Sequence, residues 1–320
     1  MVTLQTIQQS NASVATLPPG LVALFIGATS GIGQSTLQHF AQHASSPRIY
    51  TVARPQTATS HEKFLASLRQ SNPSSSYSLI TADHTLVSDI DKVVAAIKEK
   101  ETKLDILFMS TASFAFEERD NTAEGLDSNM ATRYYTRLRA VQQLLPLLNN
   151  SASPRIVSVL GGGMETPLNE QDLDLREPGN WSFWNASLHS TTMGTLALEH
   201  FARQNPHLSV VHWFPGPVAT PGLEKAKKFG LSQASNPISS DEAGESGLFL
   251  ATSDRYAVQG GLVPAPEGVG AANKTGGGIF LVDPQGEIHD NEGVLAEMRK
   301  RGLGETVWTF TEEIFASCTA

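Results

Sequence analysis

Leu21-Val-Ala-Leu-Phe-Ile26, an unbroken apolar run after Pro18-Pro19-Gly20, stops on Gly27, and within a few residues the apolar spacing turns helical. Such a run, closed at both ends by turn residues, suits a strand buried on both faces, as in parallel sheets. From Ile32, the positions Thr36, Leu37, Phe40, Ala41 and Ala44 recur at helical spacing. The same alternation continues down the chain. Strands are expected at Arg48–Ala53, near Leu79-Ile80 towards Asp83, at Leu104–Met109, Ile156–Leu160, Leu208–Phe214 and Gly278–Val282. Helices are expected at 91–100, 126–148 and 188–204, with two short ones near 293–300 and 306–315. Strands separated by helices imply an α/β, doubly wound parallel sheet (a Rossmann fold) of about seven strands with helices on both faces. The 320 residues are read as one such domain, 1–320, with 277–320 supplying a last strand and helices. Residues 221–276 are rich in Gly, Pro, Ser and Ala and read as an insertion or lid.

Gly27-Ala-Thr-Ser-Gly31-Ile-Gly33 joins the first strand to its helix. In this context Gly27 permits the sharp turn, Gly31 lets the backbone approach a pyrophosphate, and Gly33 lets the helix pack on the sheet. The helix start then offers free N–H groups and a positive dipole end to phosphates. Arg54 follows the second strand directly, in Val52-Ala53-Arg54-Pro55. An acidic residue there would bind the ribose hydroxyl of NAD, whereas arginine suits the 2′-phosphate of NADP(H). Asp83 ends the third strand, where a carboxylate can accept from an adenine amino group or cap a turn.

Composition narrows the partners. The formal net charge is −9 without a Lys/Arg stripe, which argues against nucleic acid. Cys318 is the only cysteine, so neither a disulfide nor a cysteine metal site forms within one chain. No apolar run approaches the roughly 20 residues of a membrane span. Met1 to Asn11 lacks a basic residue and a long apolar stretch, so no secretory leader is expected and the cytoplasm is the default. His189, His200, His207 and His212 are scattered, none at the His-x-x-x-His spacing of a helical site, and no metal site is expected in the chain. The expected partner is a small molecule.

The glycine turn, Asp83, Leu104-Asp-Ile-Leu107, Asn129 and Pro215-Gly-Pro-Val-Ala-Thr220 occur in the order of the short-chain dehydrogenase/reductase family, which the chain resembles over nearly its whole length. It looks most like a fungal subgroup of secondary metabolism, through Thr6-Ile7 with Asn11, Glu124-Gly-Leu-Asp127, Arg133-Tyr-Tyr-Thr-Arg137, Leu144-Leu-Pro-Leu-Leu148, Arg155-Ile-Val-Ser-Val159 and Leu196-Ala-Leu-Glu199. The resemblance implies that some relatives reduce imines or guide ring closure. It also implies that Gly27, Ser30, Gly31, Ile32 and Gly33 hold the pyrophosphate, Arg54 the 2′-phosphate and Asp83 the adenine. Asn129 would organise a water of the proton relay, and Pro215, Gly216, Val218 and Thr220 would hold the nicotinamide and phosphates. Such proteins often pair through the two long helices; the surface pattern here does not decide oligomeric state.

The departures from that pattern are chemical. Met109-Ser-Thr-Ala112 stands for the family's Asn-Asn-Ala-Gly, and its catalytic serine falls at Gly161. The family's Tyr-x-x-x-Lys pair is missing, because no tyrosine and no lysine lies between Tyr135 and Lys225; the chain reads Ser187-Leu-His-Ser-Thr-Thr-Met193 instead. In the family the tyrosine exchanges the carbonyl proton, and the lysine lowers its pKa; losing such an acid costs on the order of 10²–10⁴ in rate. Hydride transfer to a cationic C=N bond needs no such acid. His189 and Arg133 are candidate substitutes, and Asp172 and Asp174 candidate partners for an amine. Ser158 and Glu165 are weaker candidates. Trp181, Phe183 and Trp184 could line an aromatic pocket. Three readings result: an NADP(H)-dependent reductase of a natural-product intermediate (imine, iminium or activated C=C or C=O); a non-redox cyclase, isomerase or dehydratase with NADP(H) structural; and a non-catalytic dinucleotide binder.

Overall fold

The computed structural model describes residues 2–230 and 234–319. Strands β1 (Val22–Ile26), β2 (Arg48–Ala53), β3 (Ser76–Thr81), β4 (Ile106–Met109), β5 (Arg155–Val159), β6 (Ser209–Trp213) and β7 (Phe280–Val282) form one sheet. Its order is β3-β2-β1-β4-β5-β6-β7, and every pair is parallel. The chain winds outward from β1 to β3, returns across the sheet to β4, and winds outward again. This is a Rossmann fold, and the reversal between β1 and β4 opens a crevice at the carboxyl ends of those strands.

Parallel strands need long crossovers, and helices supply them here. In chain order they are α1 (Leu4–Ala12), α2 (Gly31–His43), α3 (Pro55–Ser71), α4 (Val87–Lys98), α5 (Ser128–Met130), α6 (Thr136–Asn149), α7 (Phe183–Gln204), α8 (Pro221–Lys228), α9 (Ser240–Thr252), α10 (Glu292–Lys300) and α11 (Leu303–Cys318). The strand period of two sends alternate residues of β1 to opposite cores. Val22, Leu24 and Ile26 pack with Ile90 of α4, Leu138 of α6, Leu196 of α7 and Trp308 of α11. Ala23 and Phe25 pack with Leu37 and Phe40 of α2, Leu65 of α3 and Phe249 of α9.

The lid expected at 221–276 is corrected in part. Its middle is α9, a core helix whose Leu248, Phe249 and Leu250 are buried. Gly244 and Gly247 are there for contact: a Cβ on the first would run into Ser35, and on the second into Thr36, both on α2. The residues that lower helix propensity are thus the ones that allow close packing. The usable signal is local, since Ser239 and Glu242 form a capping box at the start of α9. α8, by contrast, has no buried residue. Residues 231–233 of this stretch lie outside the described residues. Two further helices, α1 and α3, have no counterpart in the expected elements. α3 starts with Pro55 at its first turn, directly after Arg54.

Arg155 ties α9 to the sheet. It is fully buried in β5, and its guanidinium donates to Leu250 O at 2.7 Å and Ser253 O at 3.0 Å. These carbonyls belong to the end of α9, where no helical donor remains for them. Burial pulls the guanidinium down to about 10, so it is still a cation at neutral pH. Arg155→Met keeps the volume and removes both charge-assisted bonds. The expected cost is about 3 kcal/mol, read as a lower urea midpoint with an unchanged slope; a midpoint equal to wild type would show that α9 is held by packing alone.

Candidate active site

The glycine turn closes because there is no room for side chains. Gly27 has φ +100°, and a Cβ there would stand 2.6 Å from Thr111 N; one on Gly33 would stand 2.5 Å from Gly27 O. The turn therefore nests against the end of β4, and α2 starts at Gly31 with its unpaired first-turn N–H groups at the crevice. The Ser30 hydroxyl makes no capping bond to that helix. A cleft of about 320 Å³ lies here, lined by Gly27, Ser30, Gly31, Ile32 and Gly33 together with Arg54, His84, Pro215 and Thr220. Arg54 is exposed at its edge and makes no ion pair among the described residues.

Asp83 does not join this cleft. Its Oδ1 accepts from Thr85 N at 3.0 Å and Thr85 Oγ1 at 2.9 Å, so it closes its own turn, and the neighbouring His84 lines the cleft instead. Burial, first, and the Arg54 charge, second, pull His84 down to about 4, so it is neutral near pH 7.

A second void of about 430 Å³ adjoins the cleft, and Ile32, Phe114, Leu160, Thr220 and Gly222 line both. Gly216 and Val218 lie on its wall, with Phe183, Trp184, Leu188, Phe214 and Leu223. Among the described residues, its one charged lining residue is Arg133.

Arg133 is aimed there by a defect in the helix. Ala131–Tyr135 is a π-helical turn between α5 and α6. Such a turn adds a residue and rotates the side chains beyond it, and it is frequent at functional sites. All five of its residues are buried, and so are Thr136 and Arg137. Tyr134 Oη pairs with Thr311 Oγ1 at 2.6 Å, and Tyr135 Oη donates to Asp174 Oδ1 at 2.7 Å. Arg137 donates to Thr132 O, Ser158 Oγ, Val159 O and Thr111 O. Arg133 is different. Its only hydrogen bond among the described residues is Nη2 to Ser113 O at 3.3 Å, and its Nε has no partner there. The guanidinium lies 5.7 Å and 5.2 Å from the ring centroids of Phe114 and Phe183. Burial lowers it to about 10, so it remains a cation at neutral pH.

The start of α7, which stands in place of the family's tyrosine and lysine, presents Ser187, Leu188 and Thr191 to the pocket. Ser187 Oγ donates to Phe183 O and Thr191 Oγ1 to Ser187 O, so both hydroxyl protons are used within the helix. Gly161 faces them, and a Cβ on it would lie 2.7 Å from Thr191 Oγ1. Behind Gly161 runs a buried chain: Thr195 Oγ1 donates to Glu165 Oε1 at 2.7 Å and meets His212 Nδ1 at 2.9 Å. Burial, first, and Arg137, second, pull His212 down to about 3, so a neutral ring donates to Thr195. Glu165 therefore serves as an acceptor at the base of the Gly161-Gly162-Gly163 turn, also taking Gly163 N.

Several sequence candidates are not brought to this pocket. His189 lines a different depression, with Asn169, Asn180 and Asn185, and its Nε2 has no partner among the described residues. Burial holds its imidazole near 4, which leaves it neutral and without a proton to give at pH 7. Asp172 accepts from Arg176 N, Glu177 N and the Asn180 side chain, and so shapes its own loop. Asp174 is buried against Arg119, Arg176 and Tyr135. Asn129 is buried, donates to Ala115 O, and is absent from the pocket lining. Ser158 is taken by Arg137, and Trp181 packs against the core. Phe183 and Trp184 do line the pocket. Phe114, Leu188 and Phe214 were not anticipated, although Phe114 and Phe214 each lie just beyond a strand facing the crevice, where lining residues are expected. Among the described residues, one histidine and glutamate group is spaced for a metal ion, and it lies outside this site, on α2 and α9.

Comparison with known proteins bears on the fold and the family. The family model described as short chain dehydrogenase matches residues 21–171. The NmrA-like family domain-containing oxidoreductase notO of Aspergillus sp. (strain MF297-2) is 66% identical over 99% of this chain and 96% of its own length. The short-chain dehydrogenase/reductase SAT2 of Stachybotrys chartarum is 30% identical over 96% of this chain and 95% of its own. A short chain dehydrogenase of Burkholderia cenocepacia, solved with NADP, is 17% identical and superposes with a TM-score of 0.56 over 73% of this chain and 91% of that one. The chain belongs to the short-chain dehydrogenase/reductase family of oxidoreductases.

Proposed function

We propose that this chain is an NADP(H)-dependent reductase of a bulky, mostly apolar intermediate of fungal natural-product biosynthesis, working in the cytoplasm. The observation that carries the reading is Arg133: a buried cation, short of hydrogen-bond partners, aimed into an apolar pocket that adjoins the glycine cradle. Among the described residues no helix is long and apolar enough to cross a membrane.

The residues present fit the cofactor. The cradle has no room for side chains at Gly27 and Gly33. Ser30 and the first turn of α2 offer donors to a pyrophosphate, and Arg54 offers an uncommitted guanidinium to a 2′-phosphate. The NADP in the Burkholderia structure supports this choice. When bound, the cofactor supplies the hydride.

The chain's own residues decide what can accept it. Among the described residues, the pocket lining contains no tyrosine, lysine, histidine or carboxylate. A ketone that needs a protein acid at its oxygen is poorly served. Arg133 also repels a cationic iminium and stabilises negative charge growing on an oxygen. The pocket therefore favours an activated C=C bond conjugated to a carbonyl whose oxygen rests on Arg133: the enolate left by hydride addition at the β-carbon would be held by that guanidinium and would take its α-carbon proton from water. The rings of Phe114 and Phe183, which lie against the guanidinium, lower the local polarity and strengthen that interaction.

One observation favours a second reading. Ser187 and Thr191 keep their protons within the helix, so the pocket can shape and polarise a substrate without exchanging protons with it. A cyclase of a concerted, proton-neutral ring closure, or an isomerase of a concerted rearrangement, with structural NADP(H) would need no more. Substrate conversion with no NADPH oxidised would decide for it.

Two substitutions test the main reading. Arg133→Met should lower kcat/KM for a bulky enone by about 10²–10³ while NADPH affinity, followed by fluorescence, stays the same; equal turnover would remove Arg133 from the chemistry. Because Arg133 holds its proton up to about 10 and His189 has lost its own above about 4, kcat/KM should be flat from neutral pH to well above it. A break near neutrality would point to another acid. Arg54→Ala should weaken NADPH by about 1.5–3 kcal/mol, the worth of a charge-assisted bond, and leave NADH binding unchanged. Equal losses for both would show that Arg54 does not read the 2′-phosphate.

A further inference from the structure

His39 and His43 stand four residues apart on α2, a spacing that puts both imidazoles on one helix face. Glu245 of α9 faces them, and one donor atom from each of the three lies within 4.8 Å of the others. His39 and Glu245 are buried and His43 half-buried. The two carboxyl oxygens of Glu245 are divided. Oε2 accepts from Asn11 of α1 at 2.5 Å, while Oε1 lies 3.7 Å from His39 Nδ1. The other nitrogen of His39, Nε2, is bonded to Asp241 Oδ1 at 3.0 Å.

That division is what a metal centre requires. A carboxylate on one imidazole nitrogen fixes the ring and its tautomer, leaving the other nitrogen with a free lone pair. Ligand atoms around a tetrahedral zinc lie about 3.3–3.6 Å apart, given bonds of about 2.0–2.2 Å. The His39–Glu245 separation is already close to that, and a modest inward turn of His43 completes the set. Two imidazoles and one carboxylate suit zinc or a similar borderline divalent ion rather than magnesium or calcium.

We propose that His39 Nδ1, His43 and Glu245 Oε1 bind a divalent transition-metal ion of the zinc class, with a water in the fourth position. Asp241 and Asn11 orient the ligands. The ion fastens α9 to α2 on the face of the sheet away from the substrate pocket.

The test uses the tag-free, full-length chain with Cys318→Ser, so that the lone thiol cannot compete. Zn²⁺ is titrated against a chromogenic chelator at about pH 7.5, where free imidazoles are mostly neutral, and thermal unfolding is followed with one equivalent of Zn²⁺ or Mg²⁺. Uptake of one Zn²⁺ per chain is expected, with a higher unfolding midpoint in Zn²⁺ and no change in Mg²⁺. Cobalt should give the visible absorption of a four-coordinate site. His43→Gln, away from the pocket, should keep the metal-free midpoint, weaken Zn²⁺ at least about tenfold and abolish the cobalt band; Glu245→Gln should do likewise. If Glu245→Gln does not fold, the cobalt spectra of the parent and His43→Gln decide. Failure to take up Zn²⁺, or uptake and stabilisation that survive His43→Gln, would overturn the proposal and leave the cluster as polar packing between helices.

Discussion

Arg137 is a cation with no carboxylate beside it among the described residues, held wholly by oxygen dipoles. Its donors reach Thr132 O in the π-helical turn, Ser158 Oγ and Val159 O in β5, and Thr111 O beyond β4. Burying such a charge costs several kcal/mol unless every donor is matched. The matching oxygens come from elements far apart in sequence, so the charge is tolerated only when all of them are in place. The carboxyl ends of the central strands and the turn that carries Arg133 are thereby fixed together. Burial, first, and the nearby Arg133 charge, second, pull Arg137 down to about 9, so the two cations share one electrostatic neighbourhood. Arg137 uses up the local carbonyls. Arg133 is left with few, and its charge remains available to a ligand.

The pocket also shows how one replacement forces another. Thr191 fills the space against Gly161, and a side chain on Gly161 would collide with it. A serine at 161 and a threonine at 191 cannot both be accommodated without a shift. The two positions are therefore coupled, and a tyrosine and lysine introduced alone at 187 and 191 would meet a wall built around smaller groups. Glu165, Thr195 and His212 keep the base of that wall ordered without exposing a titratable group to the pocket.

Much of the fold is legible locally. The β1 run, the glycine turn and the start of α2 need only neighbours in sequence, and all appear where expected. The glycine-rich α9 escapes such a reading because its composition serves contact with α2, which no local window records. His189 is misplaced by geometry. Ser187 and Thr191, one turn apart, share the pocket face, and a residue two positions from Ser187 is rotated by about 200° around the helix. His189 therefore faces a different depression from the one that Ser187 and Thr191 line. Asn129 and Arg133 sit at the helical spacing of one face, yet only Arg133 lines the pocket. The π-helical turn that begins at Ala131 and carries Arg133 alters the register after Asn129, and the buried partners of Tyr134, Tyr135 and Arg137 hold it in place. The four-residue spacing of His39 and His43 is plain in the sequence, whereas Glu245, which faces them, is brought there only by the fold.

α8 covers one wall of the pocket through Gly222, Leu223 and Ala226, yet none of its residues is buried. It is anchored at its start by the Thr220 cap and along its length by Lys225 reaching Phe114 O. Local opening free energy follows the apolar area an element buries, and α8 buries little. Its side chains can therefore vary without loss to either core, whereas the strands and the remaining long helices cannot. Changes confined to this single short helix would therefore reshape one wall of the pocket and leave the buried cation and both cores in place.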